Sequence, residues 1–500
     1  MVSTDTSLKV ATAVVCAVAV ARTARRYGDK HDIHPIAHSS RSQRTTQMAK
    51  LGARRGVDRA LTAVRARLGS DERRRRLVAE LELREARDVV DSLGQMKGAL
   101  MKLGQMASYL DDGLPEPMRI ALAELHSDAP PMSGDLALTE IERSLGRPLL
   151  TLFEHVHPEP IAAASIGQVH RATTRDGLDV AVKVQYPGIA DAIAADLDNT
   201  KTLAGILGLV FPGLDSSTLV EELRDRILEE LDYEHEALNQ HAFAEYYAGH
   251  PHIWVPRVID ELSSATVLTT EFVAGRPFED VFELDQHQRD HYAEILYRFV
   301  FRSLNRQLAF NADPHPGNYL LADDGRLAFL DFGLVKYFDE TEIDQFATLI
   351  EAMIDGDHHR FRAEAERVEV LRPGAPFSDD EIFGWFSSYY ELILDDAEIT
   401  VTPEFSGGLL RQTFDARTNE ILKHTNVPPT FALIQRINLG LFSILAKLNA
   451  TANWRMVSEE LWAWTDAPPS TPVGRDEAAW LIERSARGIP PQPSRPADRR

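Results

Sequence analysis

The feature that most constrains this sequence is a pair of acidic motifs, one on each side of a predicted hairpin. In the first, Asn-Ala-Asp-Pro-His-Pro-Gly-Asn, Asp313 is followed by Asn318. The second is Asp331-Phe-Gly, directly after a short apolar run. Phosphoryl transfer needs a carboxylate that orients the acceptor hydroxyl and oxygen ligands that hold a metal against the phosphates. The order and spacing predict Asp313 as the catalytic base and Asn318 and Asp331 as Mg²⁺ ligands.

A lysine on an apolar strand is the second signal. Lys183 ends the run Val-Ala-Val-Lys, and an ammonium group at such a position is costly to bury unless it is paired. An edge-strand lysine that reaches water is the structural alternative, but the acidic motifs follow Lys183 in the order of a kinase-like fold. The sequence therefore predicts that Lys183 serves catalysis by contacting the phosphates of a nucleotide.

The segment before this strand departs from an ordinary protein kinase. No Gly-x-Gly-x-x-Gly loop precedes Lys183, and its place is taken by Ala162, Ala163, Ala164 and Ser165. Alanine carries a Cβ and adopts fewer backbone conformations than glycine, so this segment is stiffer and cannot approach phosphate in the usual way. We expect it to line the nucleotide site and to restrain turnover.

Hydrophobic patterning predicts the α+β class. Alternating apolar residues and turn signals indicate hairpins within 161–184 and 319–330 and strands at 254–260 and 266–272. Apolar residues at three- and four-residue spacing indicate helices at 77–126, 136–144, 189–206, 217–247 and 286–307, and throughout 341–465.

This order of elements predicts a two-lobed protein-kinase-like fold. A small β-rich N-lobe is assigned to residues 151–275 and a largely helical C-lobe to 276–465. The tail at 466–500 is rich in proline and is predicted to be mostly disordered.

Charge is divided unevenly along the chain. The 500 residues are 44% hydrophobic and 26% charged, which is typical of a soluble globular protein with more than one domain. The net charge of −22 excludes a protein that coats nucleic acid, yet residues 1–76 carry a net charge of +11. This basic leader contains an apolar stretch, 8–21, that is too short to span a membrane. Three interpretations of this leader remain open, namely a plain helix, a disordered segment and an anchor on an anionic membrane surface.

The number of cysteines indicates the redox state of the compartment in which the protein occurs. Cys16 is the only cysteine of the sequence, so an intramolecular disulfide is excluded and a reducing compartment is favoured. The alanine- and arginine-rich composition, with no organelle-type leader, favours a bacterium, so we expect a protein of the bacterial cytoplasm, peripheral on the inner face of the cytoplasmic membrane if the basic leader binds lipid.

Three motifs in one order resemble the UbiB/AarF (coenzyme-Q-linked) atypical kinase family. They are Ala-Ala-Ala-Ser165, Lys102-Leu-Gly-Gln105 and Glu230-Leu-Asp232-Tyr-Glu-His-Glu236. The resemblance covers roughly residues 85–340 well. It implies that residues 77–150 form a helical extension that carries the Lys-x-Gly-Gln motif over the active site.

The resemblance also implies roles for individual residues. Lys102 and Gln105 would form a regulatory latch with Glu230 and Asp232, and Glu236 would pair with Lys183. The segment Thr-Glu271-Phe-Val273 resembles the inter-lobe hinge that binds adenine. The nucleotide-binding set therefore consists of Ala162, Ala163, Ala164, Ser165, Lys183, Glu236, Glu271 and Val273.

The leading hypothesis is a kinase or ATPase that uses ATP (or ADP) with Mg²⁺ and acts on a small molecule or lipid of isoprenoid quinone biosynthesis. A nucleotide-gated scaffold or lipid chaperone without catalysis is the alternative. A conventional protein kinase is disfavoured by the alanine-rich segment and by the lack of Ala-Pro-Glu after Asp331. The sequence assigns neither the acceptor nor the oligomeric state.

Overall fold

The computed structural model describes residues 132–164, 166–190, 228–311, 313–414, 420–425 and 429–488. All of them lie in one compact unit. The predictions for the basic leader, for the helix at 77–126, for all but the first two residues of the helix at 189–206, and for Lys102, Gln105 and Ser165 lie outside the described residues.

Strands and helices are numbered in chain order within the described residues. The strands are β1 (Phe153–Val156), β2 (Ala162–Ala164), β3 (Gly167–Thr174), β4 (Asp179–Gln185), β5 (Ile253–Trp254), β6 (Val267–Glu271), β7 (Gly275–Pro277), β8 (Ala309–Asn311), β9 (Tyr319–Ala322), β10 (Leu327–Phe329), β11 (Val335–Tyr337), β12 (Ile399–Thr400) and β13 (Thr451–Ala452). The helices are α1 (Gly134–Leu145), α2 (Leu149–Leu152), α3 (Tyr233–Tyr246), α4 (Gln286–Arg306), α5 (Glu340–Ile354), α6 (His358–Arg367), α7 (Asp379–Ser387), α8 (Glu391–Leu394), α9 (Pro403–Phe414), α10 (Pro429–Leu448), α11 (Trp454–Leu461) and α12 (Pro472–Ala486).

An antiparallel sheet of five strands forms the N-lobe. Its order is β1-β3-β4-β6, and β2 also pairs with β3. Alternate residues of β4 are buried, namely Val180, Val182 and Val184, as expected for a strand with one face on a core. The hairpin predicted between β3 and β4 is confirmed, and Gly177 takes a positive φ of 85° in its turn.

Helix α1 closes one side of this sheet. Ser133 begins the helix by accepting a hydrogen bond from the backbone of Leu136. Ala137 and Ile141, one turn apart, are fully buried in the same hydrophobic core as Val182. The end of the segment predicted as an extension therefore packs into the N-lobe.

The helix predicted over 217–247 is interrupted. A helical turn described at 228–230 ends at Leu231, and α3 begins after Asp232, whose carboxylate accepts a hydrogen bond from His235 N at 2.9 Å. The backbone of Asp232, with φ −102° and ψ 86°, is not helical, so a single helix cannot run through this residue. The expectation that Glu230 and Glu236 share one helix is therefore wrong.

The C-lobe is mostly helical and is built around α4. A second sheet, of order β5-β10-β9-β7, lies beside it, and β8 pairs with β11. The predicted helix at 286–307 and the hairpin at 319–330 are confirmed. Two predictions are corrected. Of the stretch 254–260, only Trp254 lies in a strand, β5, and Val258 forms an isolated bridge with Thr270. The pairing of β12 with β13 interrupts the helical stretch 341–465.

The tail predicted as mostly disordered from residue 466 is ordered as far as 488. Thr471 begins α12, and Pro472 occupies its first turn, a position that proline favours. Glu477 and Trp480 are buried against the C-lobe. The segment forms an ordered helix because α12 is buried against the C-lobe, a contact that the proline content of the tail did not suggest.

The α+β class and the two-lobed kinase-like architecture are confirmed. Among the described helices, none combines the length and the apolar character needed to cross a membrane.

Candidate functional site

An ion pair between strand β4 and helix α3 forms the centre of the site. Strand β4 carries Lys183, whose Nζ lies 2.7 Å from Oε1 and 2.9 Å from Oε2 of Glu236 on α3. The Glu236 side chain is 1% exposed. Burial raises the pKa of Glu236 to about 7, although the Lys183 ammonium group opposes the shift. The pairing that the resemblance implied is present.

Asp331 completes this charged group. It follows β10, and its Oδ2 lies 3.3 Å from Lys183 Nζ while its Oδ1 accepts a hydrogen bond from Gly333 N at 3.0 Å. Burial alone would lower the pKa of Lys183, but the carboxylates of Asp331 and Glu236 hold it well above its usual value. The ammonium group therefore stays charged and can bind an anion.

Asp313 and Asn318 lie together on the loop after β8. The Asn318 amide nitrogen donates to the backbone oxygen of Asp313 at 3.1 Å and to its Oδ2 at 3.2 Å. A short 3₁₀ turn, Pro316–Asn318, sets this geometry, and His315 begins it by accepting a hydrogen bond from Gly317 N. With its nitrogen engaged, Asn318 keeps its amide oxygen as the atom that could hold a metal.

Two asparagines that the sequence did not identify as site residues tie the loops together. Asn311 donates to the Asp331 carbonyl oxygen at 2.7 Å and accepts from Asp313 N at 3.2 Å, so one amide joins both acidic loops. Asn239 on α3 is fully buried and donates to the carbonyl oxygen of Phe332 at 3.0 Å. Asn239 lies three residues after Glu236 and therefore on the same face of α3. This spacing is the sequence signal that could have identified Asn239 as a site residue.

The predicted hinge lies at the junction of the two sheets. Residues 272–274 connect β6 of the N-lobe sheet to β7 of the C-lobe sheet. Glu271 is held by Arg257, whose Nε lies 2.7 Å from Glu271 Oε1, and Val273 is buried. The Glu271 side chain is thus engaged by Arg257 at the start of the hinge.

The alanine segment forms a strand and not an open loop. Ala162 pairs with Val169 of β3, and Val169 pairs with Lys183 of β4. Strand β3 therefore lies between the alanine segment and β4, the strand of Lys183. At the usual strand spacing the alanine segment is about 10 Å from the strand of the lysine. Close packing fixes this register because a Cβ on Gly167 would overlap the Val184 carbonyl oxygen. Ala163 and Ala164 extend the strand, and Ser165 lies outside the described residues.

The latch is placed only in part. Glu230 and Asp232 lie just before α3, and Asp232 acts as its cap. Their proposed partners Lys102 and Gln105 are not among the described residues.

The donor set at the acidic loops fits Mg²⁺. Asn318 and Asp331 offer oxygen ligands, and Mg²⁺ commonly binds one or two such side chains together with water and phosphate oxygens. In the described part of the chain, no group of three or more histidine, cysteine or acidic side chains could hold a metal by itself. The site is thus suited to a metal that arrives with phosphate.

Together, the two lobes, the Lys183–Glu236 pair and the Asp313, Asn318 and Asp331 loops define a protein-kinase-like domain. Residues 124–365 match the family model of the ABC1 atypical kinase-like domain. The chain belongs to this family.

Named relatives agree with this assignment. The chain is 30% identical to "Atypical kinase coq-8, mitochondrial" of Caenorhabditis elegans over 73% of its own length and 49% of the relative. It is 28% identical to "Atypical kinase COQ8B, mitochondrial" of Rattus norvegicus over 73% of its length and 69% of the relative. It thus spans about half the length of several curated relatives that it matches.

One solved structure, "The complex structure of Rv3197-erythromycin from Mycobacterium tuberculosis", is similar to this chain with a TM-score of 0.57. It is 31% identical to this chain, and the match covers 77% of this chain and 97% of that one.

Proposed function

We propose that this chain binds ATP with Mg²⁺ and either transfers or hydrolyses the terminal phosphoryl group, acting on a small molecule or lipid and not on a protein. The observation that carries the proposal is the position of Lys183, 2.7 Å from Glu236 and 3.3 Å from Asp331. An ammonium group between two carboxylates, beside Asp313 and Asn318, is the arrangement that phosphoryl transfer uses.

Each residue has a stated part in this proposal. Lys183 binds a phosphate oxygen, and Glu236 orients it. Asn318 and Asp331 would hold Mg²⁺, which when bound offsets the negative charge of the phosphates. Asp313 accepts the proton of the attacking hydroxyl or water and is held for that purpose by Asn318.

The class of acceptor is inferred from the family. The resemblance to coenzyme-Q-linked atypical kinases supports a precursor of isoprenoid quinones, and the solved relative, a complex with erythromycin, supports a small-molecule ligand. The net charge of +11 on residues 1–76 supports attachment to an anionic membrane surface on the cytoplasmic side. Fractionation of the full chain and of a chain without residues 1–76 tests the attachment, which is refuted if both sediment equally with membranes.

Calorimetric titration with MgATP and with ATP in chelator tests the metal assignment. We expect Asp331→Asn to weaken MgATP binding at least tenfold because it removes a charged metal ligand. Asp323→Asn is the matched control, since Asp323 lies exposed in the turn between β9 and β10, and it should bind like the parent. Equal MgATP affinity for Asp331→Asn and the parent would show that the metal assignment is wrong.

Phosphate release separates the enzyme from the alternative, a nucleotide-gated scaffold or lipid chaperone. The assay is run with anionic liposomes and a phenolic mimic of a quinone precursor, each present or absent. Release that requires Asp313 supports catalysis. Tight MgATP binding without release under any condition supports the scaffold.

A further inference from the structure

A tyrosine ring lies directly against the site lysine. Tyr233 is the first residue of α3 and is 1% exposed, and Lys183 Nζ lies 5.0 Å from the centroid of its ring. A cation is attracted to the face of an aromatic ring. A phenylalanine ring would provide the same contact, so this packing explains the ring of Tyr233 but not its hydroxyl group.

The hydroxyl group of Tyr233 has no hydrogen-bond partner within the described structure. Buried polar groups are nearly always paired, because burying one without a partner costs free energy. Two other buried tyrosines follow this rule. The Tyr247 hydroxyl lies 2.7 Å from Ser303 Oγ, and the Tyr297 hydroxyl lies 2.7 Å from Ser458 Oγ. The Tyr186 hydroxyl group is also unpaired in the described part of the chain, and what distinguishes Tyr233 is that its ring lies against Lys183.

The charges around Tyr233 keep its hydroxyl group protonated. Burial raises the pKa of the phenol, and although Lys183 opposes this shift, Glu236 and Asp331 add to it. A protonated phenol can donate one hydrogen bond to an anionic oxygen. The Tyr233 hydroxyl group can therefore donate a hydrogen bond to a ligand, since no acceptor in the described residues pairs with it.

The contact between Tyr233 and Lys183 joins two separate hydrophobic cores. Phe243 and Tyr246 on α3 pack into the C-lobe core, whereas Val182 and Val184, on either side of Lys183, pack into the N-lobe core. The two lobes are linked by the hinge at 272–274.

We propose that the Tyr233 hydroxyl group is a ligand-binding group that donates a hydrogen bond to an oxygen of the nucleotide phosphate chain. This inference rests on the proposed function. A phosphate oxygen attracted to Lys183 would come close to the Tyr233 ring, because this ring lies against Lys183. The free energy lost by leaving the hydroxyl group unpaired is recovered when the ligand binds.

The substitution Tyr233→Phe tests the proposal because it removes the hydroxyl group and keeps the ring. Dissociation constants are measured by calorimetry for MgATP, MgADP and adenosine. We expect MgATP and MgADP to bind about tenfold more weakly, which corresponds to about 1.4 kcal/mol, and adenosine to bind equally well. We expect the thermal unfolding midpoint without ligand to stay equal or rise, since an unpaired buried group is removed.

Tyr297→Phe is the matched control because it removes a hydroxyl group that is paired, with Ser458, and that lies in the middle of α4. It should lower the unfolding midpoint and leave MgATP binding unchanged. The inference is overturned if Tyr233→Phe binds MgATP as tightly as the parent, loses adenosine equally, or fails to fold. Failure of the parent itself to bind MgATP would refute the proposed function first, and the two failures are thus distinguishable.

Discussion

The strongest prediction for stability concerns Glu477, which joins α12 to the rest of the C-lobe. Its carboxylate lies 2.8 Å from Arg298 Nη1 and 2.5 Å from Arg302 Nε, and His250 Nε2 is 3.3 Å away. The side chains of Glu477 and Arg298 are each 1% exposed. Removing one partner of a buried ion pair leaves an uncompensated charge and costs about 3–5 kcal/mol. We expect Glu477→Gln to lower the free energy of unfolding by about this amount.

Most of this loss in the free energy of unfolding arises at Arg302. Arg298 keeps Glu294 and Glu460, each at 2.7 Å, after the substitution. Arg302, with a side chain 6% exposed, loses the carboxylate that it contacts. Equilibrium denaturation in urea at pH 7 measures the difference. A loss below about 1 kcal/mol would refute the view that this cluster is a buried, charge-dependent contact.

Glu483→Gln is the matched control on the same helix. Glu483 lies 3.5 Å from Arg487, and both side chains are 70% exposed. Solvent screens such a pair, so the free energy of unfolding should change by less than about 0.5 kcal/mol. An equal effect of both substitutions would mean that helix α12 responds to any loss of negative charge.

The pH dependence has a definite sign. Burial alone would raise the pKa of Glu477, but Arg302, His250 and Arg298 hold it well below its usual value. A depressed carboxyl pKa contributes stability that is complete above the unfolded value of about 4.3 and is lost as the pH falls toward the folded value. The difference between parent and Glu477→Gln should therefore be constant from pH 7 to 5 and shrink below about pH 4.

Two further substitutions test the framework of the site. Gly167→Ala places a Cβ against the Val184 carbonyl oxygen and should cost about 1–3 kcal/mol of stability in urea denaturation; Gly384→Ala, on a helix with open space around it, should not destabilise, and equal losses would contradict the packing argument. Asn311→Ala separates the two acidic loops and should raise the Mg²⁺ concentration needed for ATP binding several-fold, because the Asp331 carbonyl oxygen and Asp313 N lose their partner. An unchanged Mg²⁺ titration would refute that role.

The central charges of the site could be predicted from the sequence because their motifs are local and ordered. Lys183 lies on an apolar strand, and Asp331 follows another, so a kinase-like order of elements brings them together. The structure places Lys183, Glu236 and Asp331 in one group. The hairpins were predictable for a similar reason, since alternation and a glycine turn are both short-range signals.

Other features depend on contacts that are distant in sequence. Asn239 reaches the Phe332 carbonyl oxygen and Asn311 reaches that of Asp331, and no local pattern specifies either acceptor. The break before α3 could not be distinguished from a continuous helix, because an aspartate either caps a helix or lies on its exposed face. For the last helix a local signal existed. Thr471 before a proline is typical of a helix start, but the proline content of the whole tail outweighed it.

The packing of α3 determines how the site responds when the lobes move. At its end, Arg484 of α12 donates to the backbone oxygens of Glu245 and Tyr246, and in its middle Asn239 holds the loop of Phe332. These contacts and its aromatic residues anchor α3 in the C-lobe core. Its links to the N-lobe include the Lys183–Glu236 ion pair. If the lobes separate, the pair between β4 and α3 is one of the contacts that must adjust, together with the hydrogen bond from Gln185 to the Leu231 backbone oxygen at 2.9 Å. A ligand that bridges Lys183 and the acidic loops would favour the closed arrangement by its differential contacts.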